Sequence, residues 1–121
     1  MKKLKFNNKW HVFKGFFQGR KVEFKFQSKK EYERFLFLRQ EELDGEICLL
    51  KRQVPFELIP KTPGERPVKY FADFTYYPGA LVSNAKIPVI VEDVKGFKTP
   101  TYIIKRKLLK YRYPDIDFRE V

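Results

Sequence analysis

The chain has 121 residues, of which 43% are hydrophobic and 17% aromatic, enough for one compact domain and too many for a disordered chain. The apolar runs are only a few residues long, which argues against a membrane-spanning segment, and the first residues lack the apolar stretch of a signal peptide. The 26 basic residues outnumber the 15 acidic ones, and the net charge of +11 favours a polyanionic partner such as nucleic acid.

The chain opens with a basic arm and a hairpin. Residues 1–9 are basic and polar and predict a flexible arm. Two alternating stretches, Trp10–Lys14 and Lys21–Phe26, then predict a β-hairpin within residues 10–27. The turn is expected at residues 18–20, which include Gly19.

A first helix is predicted between Ser28 and Gly45. Ser28 is a favourable N-cap, Glu31 stands three residues later in capping-box position, and Gly45 is a stop signal. The helical period places an inward stripe at Tyr32, Phe35, Leu36, Arg39 and Leu43.

Four stretches of strand are predicted after this helix. Residues 46–50 and then residues 54–59 should be strand or extended chain, bent near Pro55, and proline and glycine mark residues 61–67 as a loop. Residues 71–76 and 89–96 follow as two strands, joined by a connection from Pro78 to Lys86.

A second helix is predicted to begin at Thr99, because threonine is a good N-cap and Pro100 suits the first helical position. Tyr113 and Pro114 should end it, and residues 116–118 can add a short last strand. The residues expected to face inward on this helix are Ile104, Leu108 and Tyr111.

The predicted strand over residues 89–96 ends by placing an acid and a lysine two residues apart. Because side chains alternate along a strand, Asp93 and Lys95 share one face, and Glu92 points the other way, toward solvent or a salt bridge. Asp73 is likewise a single acid in an apolar strand. Burying such charges is costly unless they are paired or bound to metal. Two carboxylates on neighbouring strands beside a lysine predict a divalent-metal phosphodiesterase site.

The order of helix, strands, helix and strand, with Asp73 and the triplet 93–95, resembles the PD-(D/E)XK (restriction-endonuclease-like) nuclease superfamily. Within it, the chain is similar to small phage and prophage endonucleases related to Holliday-junction resolvases. The motifs that carry the resemblance are residues 26–31, 53–58, 72–76, 92–96 and 111–114. Phe71 and Ala72 precede Asp73 in place of the proline that names the superfamily.

The resemblance implies an α/β fold with a mixed central β-sheet flanked by two helices. This αβββαβ core would follow the amino-terminal β-hairpin in a single nuclease domain over residues 1–121, with the catalytic core in residues 28–121. The implied activity is that of a Mg²⁺- or Mn²⁺-dependent DNA endonuclease that leaves a 5′-phosphate and a 3′-hydroxyl.

Residue roles carry over from the resemblance at matching positions only. Asp73 and Asp93 would hold the metal ion. Lys95 would orient or help deprotonate the attacking water and offset the charge of the phosphorane. Glu31 would be an additional metal-side or water-positioning acid, although a role as helix cap alone explains it about as well.

Five residues are candidates for binding nucleic acid: Lys14, Gln53, Lys98, Lys105 and Lys107. Among the lysines of the second helix, the resemblance favours Lys105. A solvated basic face is the alternative for any one of the lysines. Gln53 is either a polar residue of the site or a hydrogen-bonding residue of an edge strand, and we favour the second.

The implied partner is DNA, branched DNA and Holliday junctions included, and the resemblance also admits a homodimer. The single cysteine, Cys48, cannot form an intrachain disulfide, so we expect a cytoplasmic protein, in the host cell if a phage encodes it. Two rival functions stay open at this point. One is a non-catalytic basic module that binds DNA or RNA, and the other is a phage structural or packaging protein.

Overall fold

The computed structural model describes residues 10–79 and 87–121. The predicted arm over residues 1–9, and the part of the predicted connection from residue 80 to 86, lie outside the described residues. The elements are β1 (His11–Phe17), β2 (Arg20–Phe26), α1 (Lys29–Leu43), β3 (Ile47–Ile59), β4 (Val68–Pro78), β5 (Ile90–Asp93), α2 (Pro100–Arg112) and β6 (Asp117–Glu120). The α/β class is confirmed: a mixed four-stranded sheet, two helices and an amino-terminal antiparallel hairpin.

The chain divides into two compact units, Met1–Gln40 and Glu41–Val121. In the first unit, β1 and β2 pair antiparallel around the turn at Gln18 and Gly19, whose φ values are 53° and 79°. Glycine adopts such positive values without steric cost, which suits a tight hairpin turn. The inner face of the hairpin packs on α1 through five rings: Phe13, Phe17, Phe24, Phe26 and Phe35.

Helix α1 begins where the sequence predicts. The Oγ atom of Ser28 accepts a hydrogen bond from the backbone N–H of Glu31 at 3.2 Å, so the N-cap is confirmed. The predicted inward stripe is wrong in part: Phe35 and Leu38 are buried, whereas Leu43 is 65% exposed. The reason is the apolar run over residues 35–38, which passes around the helix and leaves its phase undetermined.

The sheet of the second unit has the order β3-β4-β5-β6, antiparallel except for the parallel pair β5–β6. Helix α2 connects this pair, as a parallel connection requires. The Oγ1 atom of Thr99 accepts a hydrogen bond from the backbone N–H of Tyr102 at 3.1 Å, which confirms the predicted cap. No helix among the described residues is long and apolar enough to cross a membrane.

Helix α2 faces the sheet with a different stripe from the predicted one. Tyr102 and Leu109 are buried in the core cluster. Ile104 and Tyr111, which we expected inside, are 62% and 83% exposed, and Leu108 is only partly buried. The helix carries apolar residues on more than one side, so the sheet, rather than the helical period, selects the buried side.

Strand β3 is one irregular strand rather than two stretches bent near Pro55. Pro55 keeps its place in the ladder opposite Phe71. The irregular residues are Leu49 and Gln53, which have φ values of 57° and 53°. Residues other than glycine rarely adopt this left-handed region, so the backbone of β3 is strained at both points.

Candidate active site

Strand β4 changes face at Asp73. Ala72 packs with Val91 in the core cluster that includes residues of α2. Phe74, by contrast, stands opposite Glu92, and therefore on the other side of the sheet from Val91. Because residues two apart share a face in a regular strand, the alternation is broken at Asp73.

A gap in the pairing with β3, without a shift of register, accompanies this change of face. The ladder between the two strands includes Arg52 and Val54 but passes over Gln53 and Asp73. Gln53 is the residue with the left-handed backbone, and its Nε2 atom donates to Oδ1 of Asp73 at 3.4 Å. Strained backbone of this kind concentrates at functional sites. Gln53 thus lies beside Asp73, on the edge strand of the sheet.

The carboxylate of Asp73 reaches the end of the neighbouring strand. Its Oδ2 atom accepts a hydrogen bond from the backbone N–H of Val94 at 2.7 Å. Val94 directly follows β5, whose last residue is Asp93. The change of face in β4 therefore brings Asp73 close to the end of β5, where Asp93 lies.

Asp93 is a buried carboxylate with two different environments for its oxygens. The residue is only 2% exposed. The hydroxyl of Tyr70 donates to Oδ2. Oδ1 has no hydrogen-bond donor among the described residues, and the Nζ atom of Lys95 lies 3.4 Å from it. The lysine supplies the opposite charge that a buried carboxylate needs, as the spacing in the sequence predicts.

Tyr70 is a hydrogen-bond donor under all ordinary conditions. Burial, followed by the hydrogen bond to Asp93, raises the pKa of the Tyr70 hydroxyl far above its usual value. The proton therefore stays on the tyrosine and points at the carboxylate.

Lys95 is held by an aromatic ring as well as by Asp93. Its Nζ atom lies 4.5 Å from the ring centroid of Tyr102, a cation–π distance. The Tyr102 hydroxyl donates to Oε2 of Glu120 at 2.5 Å. Lys98 and Arg106 pair with the same carboxylate at 3.1 and 2.9 Å. These bonds, that from Tyr102 foremost, lower the pKa of Glu120 from 4.5 to about 2.

The backbone at the end of β5 is fixed by the last residues of the chain. The N–H of Val121 donates to the carbonyl oxygen of Asp93 at 3.0 Å, and the N–H of Lys95 donates to the carbonyl oxygen of Val121 at 3.3 Å. The backbone of both candidate site residues, Asp93 and Lys95, is therefore bonded to Val121, which follows β6.

Asp73, Asp93, Lys95 and Lys105 line one cavity of about 240 Å³, called here the site cavity, together with residues of the first turn of α2. The site cavity is not distinguished by its volume, because larger cavities of about 370 and 380 Å³ lie at Ile116 and along the hairpin. Each of those is lined by a single acid, whereas the site cavity combines two acids with lysines.

The donors of the site cavity fit a magnesium ion. Mg²⁺ in proteins is commonly bound by one or two carboxylates and retains several water molecules. Asp73 and Asp93 supply the two carboxylates, and Oδ1 of Asp93 is a buried oxygen that accepts no hydrogen bond within the described ranges. No group of three or more His, Cys, Asp or Glu residues that could hold a metal occurs in residues 10–79 and 87–121. A metal ion in the site cavity would be held by the two carboxylates of Asp73 and Asp93.

Glu31 and Lys14 belong to the first compact unit, whereas the site cavity lies in the second. The backbone of Glu31 completes the helix cap, and its catalytic role stays a prediction. Lys14 is exposed on the outer face of the hairpin, opposite Glu23 in the strand register.

The lysines near α2 have distinct surroundings. Lys105 is half-buried, lines the site cavity and donates from Nζ to the carbonyl oxygen of Lys69 at 3.0 Å. Lys98 pairs with Glu120, as described above. Lys107 is exposed on the helix surface.

Three residues that organise the site escaped the sequence reasoning: Tyr70, Tyr102 and Glu120. The placement of Glu92 was wrong as well, because this acid is fully buried and accepts a hydrogen bond from the Tyr76 hydroxyl. Tyr76 pairs with Ile90 in the ladder, so its ring lies on the face of the sheet that Glu92 shares. The signal was the presence of tyrosines in an apolar strand, since a buried tyrosine hydroxyl usually finds a polar partner.

The comparisons with known proteins place the chain in a family. A family model described as "Protein of unknown function (DUF1064)" matches residues 5–121, and the chain belongs to this family. No curated protein and no solved structure matches the chain.

Proposed function

We propose that the protein is a metal-dependent DNA endonuclease, similar to the PD-(D/E)XK nucleases, that hydrolyses phosphodiester bonds at the site cavity. One observation supports this proposal more than any other. Lys95 lies 3.4 Å from the buried Oδ1 of Asp93, and Asp73 from the adjacent strand lines the same cavity. An ammonium beside two convergent carboxylates is the arrangement that such hydrolysis requires.

The proposed roles follow from the chemistry of each side chain. Asp73 and Asp93 would bind Mg²⁺ or Mn²⁺, which when bound polarises the scissile phosphate and lowers the pKa of water. Lys95 would place the attacking water and stabilise the negative charge that develops on the phosphoryl oxygens. Lys105, on the wall of the cavity, would contact a neighbouring phosphate.

The net charge of +11 supports a nucleic acid as the substrate. Junctions, flaps and ordinary duplexes carry the same phosphates, so we include branched DNA in the proposal as one of several substrates. We also place the enzyme in the cytoplasm, where Cys48 would stay reduced. A homodimer would suit a twofold-symmetric junction.

The substitution that tests this proposal is Asp93→Asn. Wild-type protein is incubated with labelled duplex, flap, four-way junction and single-stranded DNA in Mg²⁺, Mn²⁺ or EDTA. We expect cleavage of at least one substrate with metal and none with EDTA. Asp93→Asn should reduce the rate by about 100-fold or more, the scale on which one group that stabilises the transition state acts.

The matched control is Asp115→Asn, the same chemical change at an exposed residue outside the site cavity. It should cleave at the wild-type rate. Circular dichroism and DNA binding by Asp93→Asn verify that the variant is folded. Undiminished cleavage by Asp93→Asn would remove the site assignment.

The rival function is a basic module that binds nucleic acid without cleaving it. One observation favours it: Tyr70 and Lys95 already provide Asp93 with the partners of a structural ion pair. The rival predicts salt-dependent DNA binding and no metal-dependent product with any of the four substrates.

A further inference from the structure

Two tyrosines of β4 donate to consecutive acids of β5. Tyr70 donates to Asp93, and Tyr76 donates to Glu92. Both tyrosines are buried, with exposures of 4% and 3%. Asp93 lines the site cavity, whereas Glu92 does not line it. The same chemical arrangement thus occurs once at the site and once away from it.

The bond from Tyr70 distinguishes the two oxygens of Asp93. A carboxylate rotates easily about its last torsion, so either oxygen can in principle face the cavity. The Tyr70 hydroxyl takes Oδ2, and Oδ1 accepts no hydrogen bond from any residue that the structure describes. Lys95 balances the charge at Oδ1 from 3.4 Å and is a third exposed.

Tyr70 is itself rigidly placed. Its ring packs in the core cluster with Ala72, Val91 and Leu109. The ring of Phe118, from β6, stands at 62° to it with the centroids 6.3 Å apart. A hydroxyl on a ring fixed from several sides can hold a carboxylate in one orientation.

We propose that Tyr70 is a positioning residue that orients Asp93 and presents its Oδ1 atom to a divalent cation. This inference rests on the proposed function, because it takes Asp93 to be a metal ligand. Tyr70 also lines the site cavity, but its hydroxyl is bonded to Oδ2 of Asp93, so in this proposal it acts through that carboxylate. Hydrogen-bond partners of ligating carboxylates typically change metal affinity by about 10- to 100-fold when they are removed.

The test compares Tyr70→Phe with Tyr76→Phe in the full-length protein. Each variant removes one buried hydroxyl that donates to an acid of β5, so the two changes are matched in chemistry and burial. Mn²⁺ affinity is measured by isothermal titration calorimetry, without DNA. Sucrose in the buffer stabilises the folded state of all variants. We expect Tyr70→Phe to bind Mn²⁺ about 10-fold more weakly or worse, and Tyr76→Phe to bind it like wild type.

Equal Mn²⁺ affinities of the two variants overturn the inference, because a merely structural hydroxyl would leave affinity untouched at both positions. Asp93→Asn separates this failure from failure of the proposed function. If Asp93→Asn loses Mn²⁺ binding while Tyr70→Phe retains it, only the inference fails. If Asp93→Asn binds Mn²⁺ normally, the proposed site fails and the inference with it.

A second measurement uses the wild-type side chains and does not depend on the folding of Tyr70→Phe. In protein labelled with 3-fluorotyrosine, Mg²⁺ should shift the ¹⁹F resonance of Tyr70, since its hydroxyl bonds the carboxylate that receives the cation. The resonance of Tyr76 should stay in place. A Tyr70 resonance that does not move at saturating Mg²⁺ contradicts the proposal.

Discussion

Glu120 connects Tyr102, whose ring supports Lys95, with Lys98 and Arg106, and its replacement by glutamine should destabilise the protein. Glu120→Gln keeps an acceptor for the Tyr102 hydroxyl but removes the charge that pairs with Lys98 and Arg106. The pKa of Glu120 falls from 4.5 to about 2 in the folded protein. At about 1.4 kcal/mol per pH unit, this corresponds to an upper bound of about 3.5 kcal/mol of stability. The Glu120 side chain is 26% exposed, so solvent screening reduces the expected loss to about 1 kcal/mol.

The stability difference between wild type and Glu120→Gln should depend on pH. A carboxyl group whose pKa is lowered by folding stabilises the protein above its unfolded pKa and loses that contribution as the pH falls toward the folded value. The difference between wild type and Glu120→Gln should therefore be about 1 kcal/mol at neutral pH and shrink between pH 4.5 and about 2.

Urea denaturation at several pH values, from about 7 down to about 3, measures this difference. The control is Glu33→Gln, because Glu33 is 61% exposed and pairs with Lys29 at 3.8 Å, so its loss should be about 0.5 kcal/mol or less. A Glu120→Gln difference that stays constant from neutral to acid pH would refute the reasoning.

Two further predictions concern packing, and thermal or urea denaturation measures both. Leu109→Ala should lower the free energy of unfolding by about 2–5 kcal/mol, because Leu109 is fully buried against the sheet. Tyr111→Ser, at an 83% exposed position, should lower it by about 0.5 kcal/mol or less. Equal losses in the two variants would contradict the orientation of α2. Gly79→Ala should cost about 1–3 kcal/mol because the added Cβ would lie 2.0 Å from the carbonyl oxygen of Gly45. Gly96→Ala should leave the free energy of unfolding nearly unchanged, because its added Cβ meets nothing within 4 Å. A loss of stability in Gly96→Ala similar to that in Gly79→Ala would contradict the steric explanation.

Local signals in the sequence predicted the ends of the elements well. Ser28 caps α1 and Thr99 caps α2, as expected from side chains that bond backbone N–H groups only a few residues away. The contact between Asp93 and Lys95 was predictable for the same reason, since two residues so close in sequence need only one strand face to meet.

Features that depend on distant parts of the chain were not predictable. The buried side of α2 is selected by the sheet, so the helical period alone put Ile104 inside when it is 62% exposed. The change of face at Asp73 coincides with the left-handed backbone of Gln53 in another strand. The sequence predicts solvent or a salt bridge for Glu92, because no residue near it in the chain indicates the hydrogen bond from the Tyr76 hydroxyl.

The bonds between Val121 and the backbone of Asp93 and Lys95 have a consequence for protein synthesis. A ribosome adds both aspartates to the chain before it adds β6, the strand next to the end of β5. A nascent chain therefore carries its acids without the framework that sets their spacing. If the protein has the proposed nuclease activity, that activity would begin only when folding is complete. Nucleic acid near the ribosome would then not be cleaved by the nascent chain.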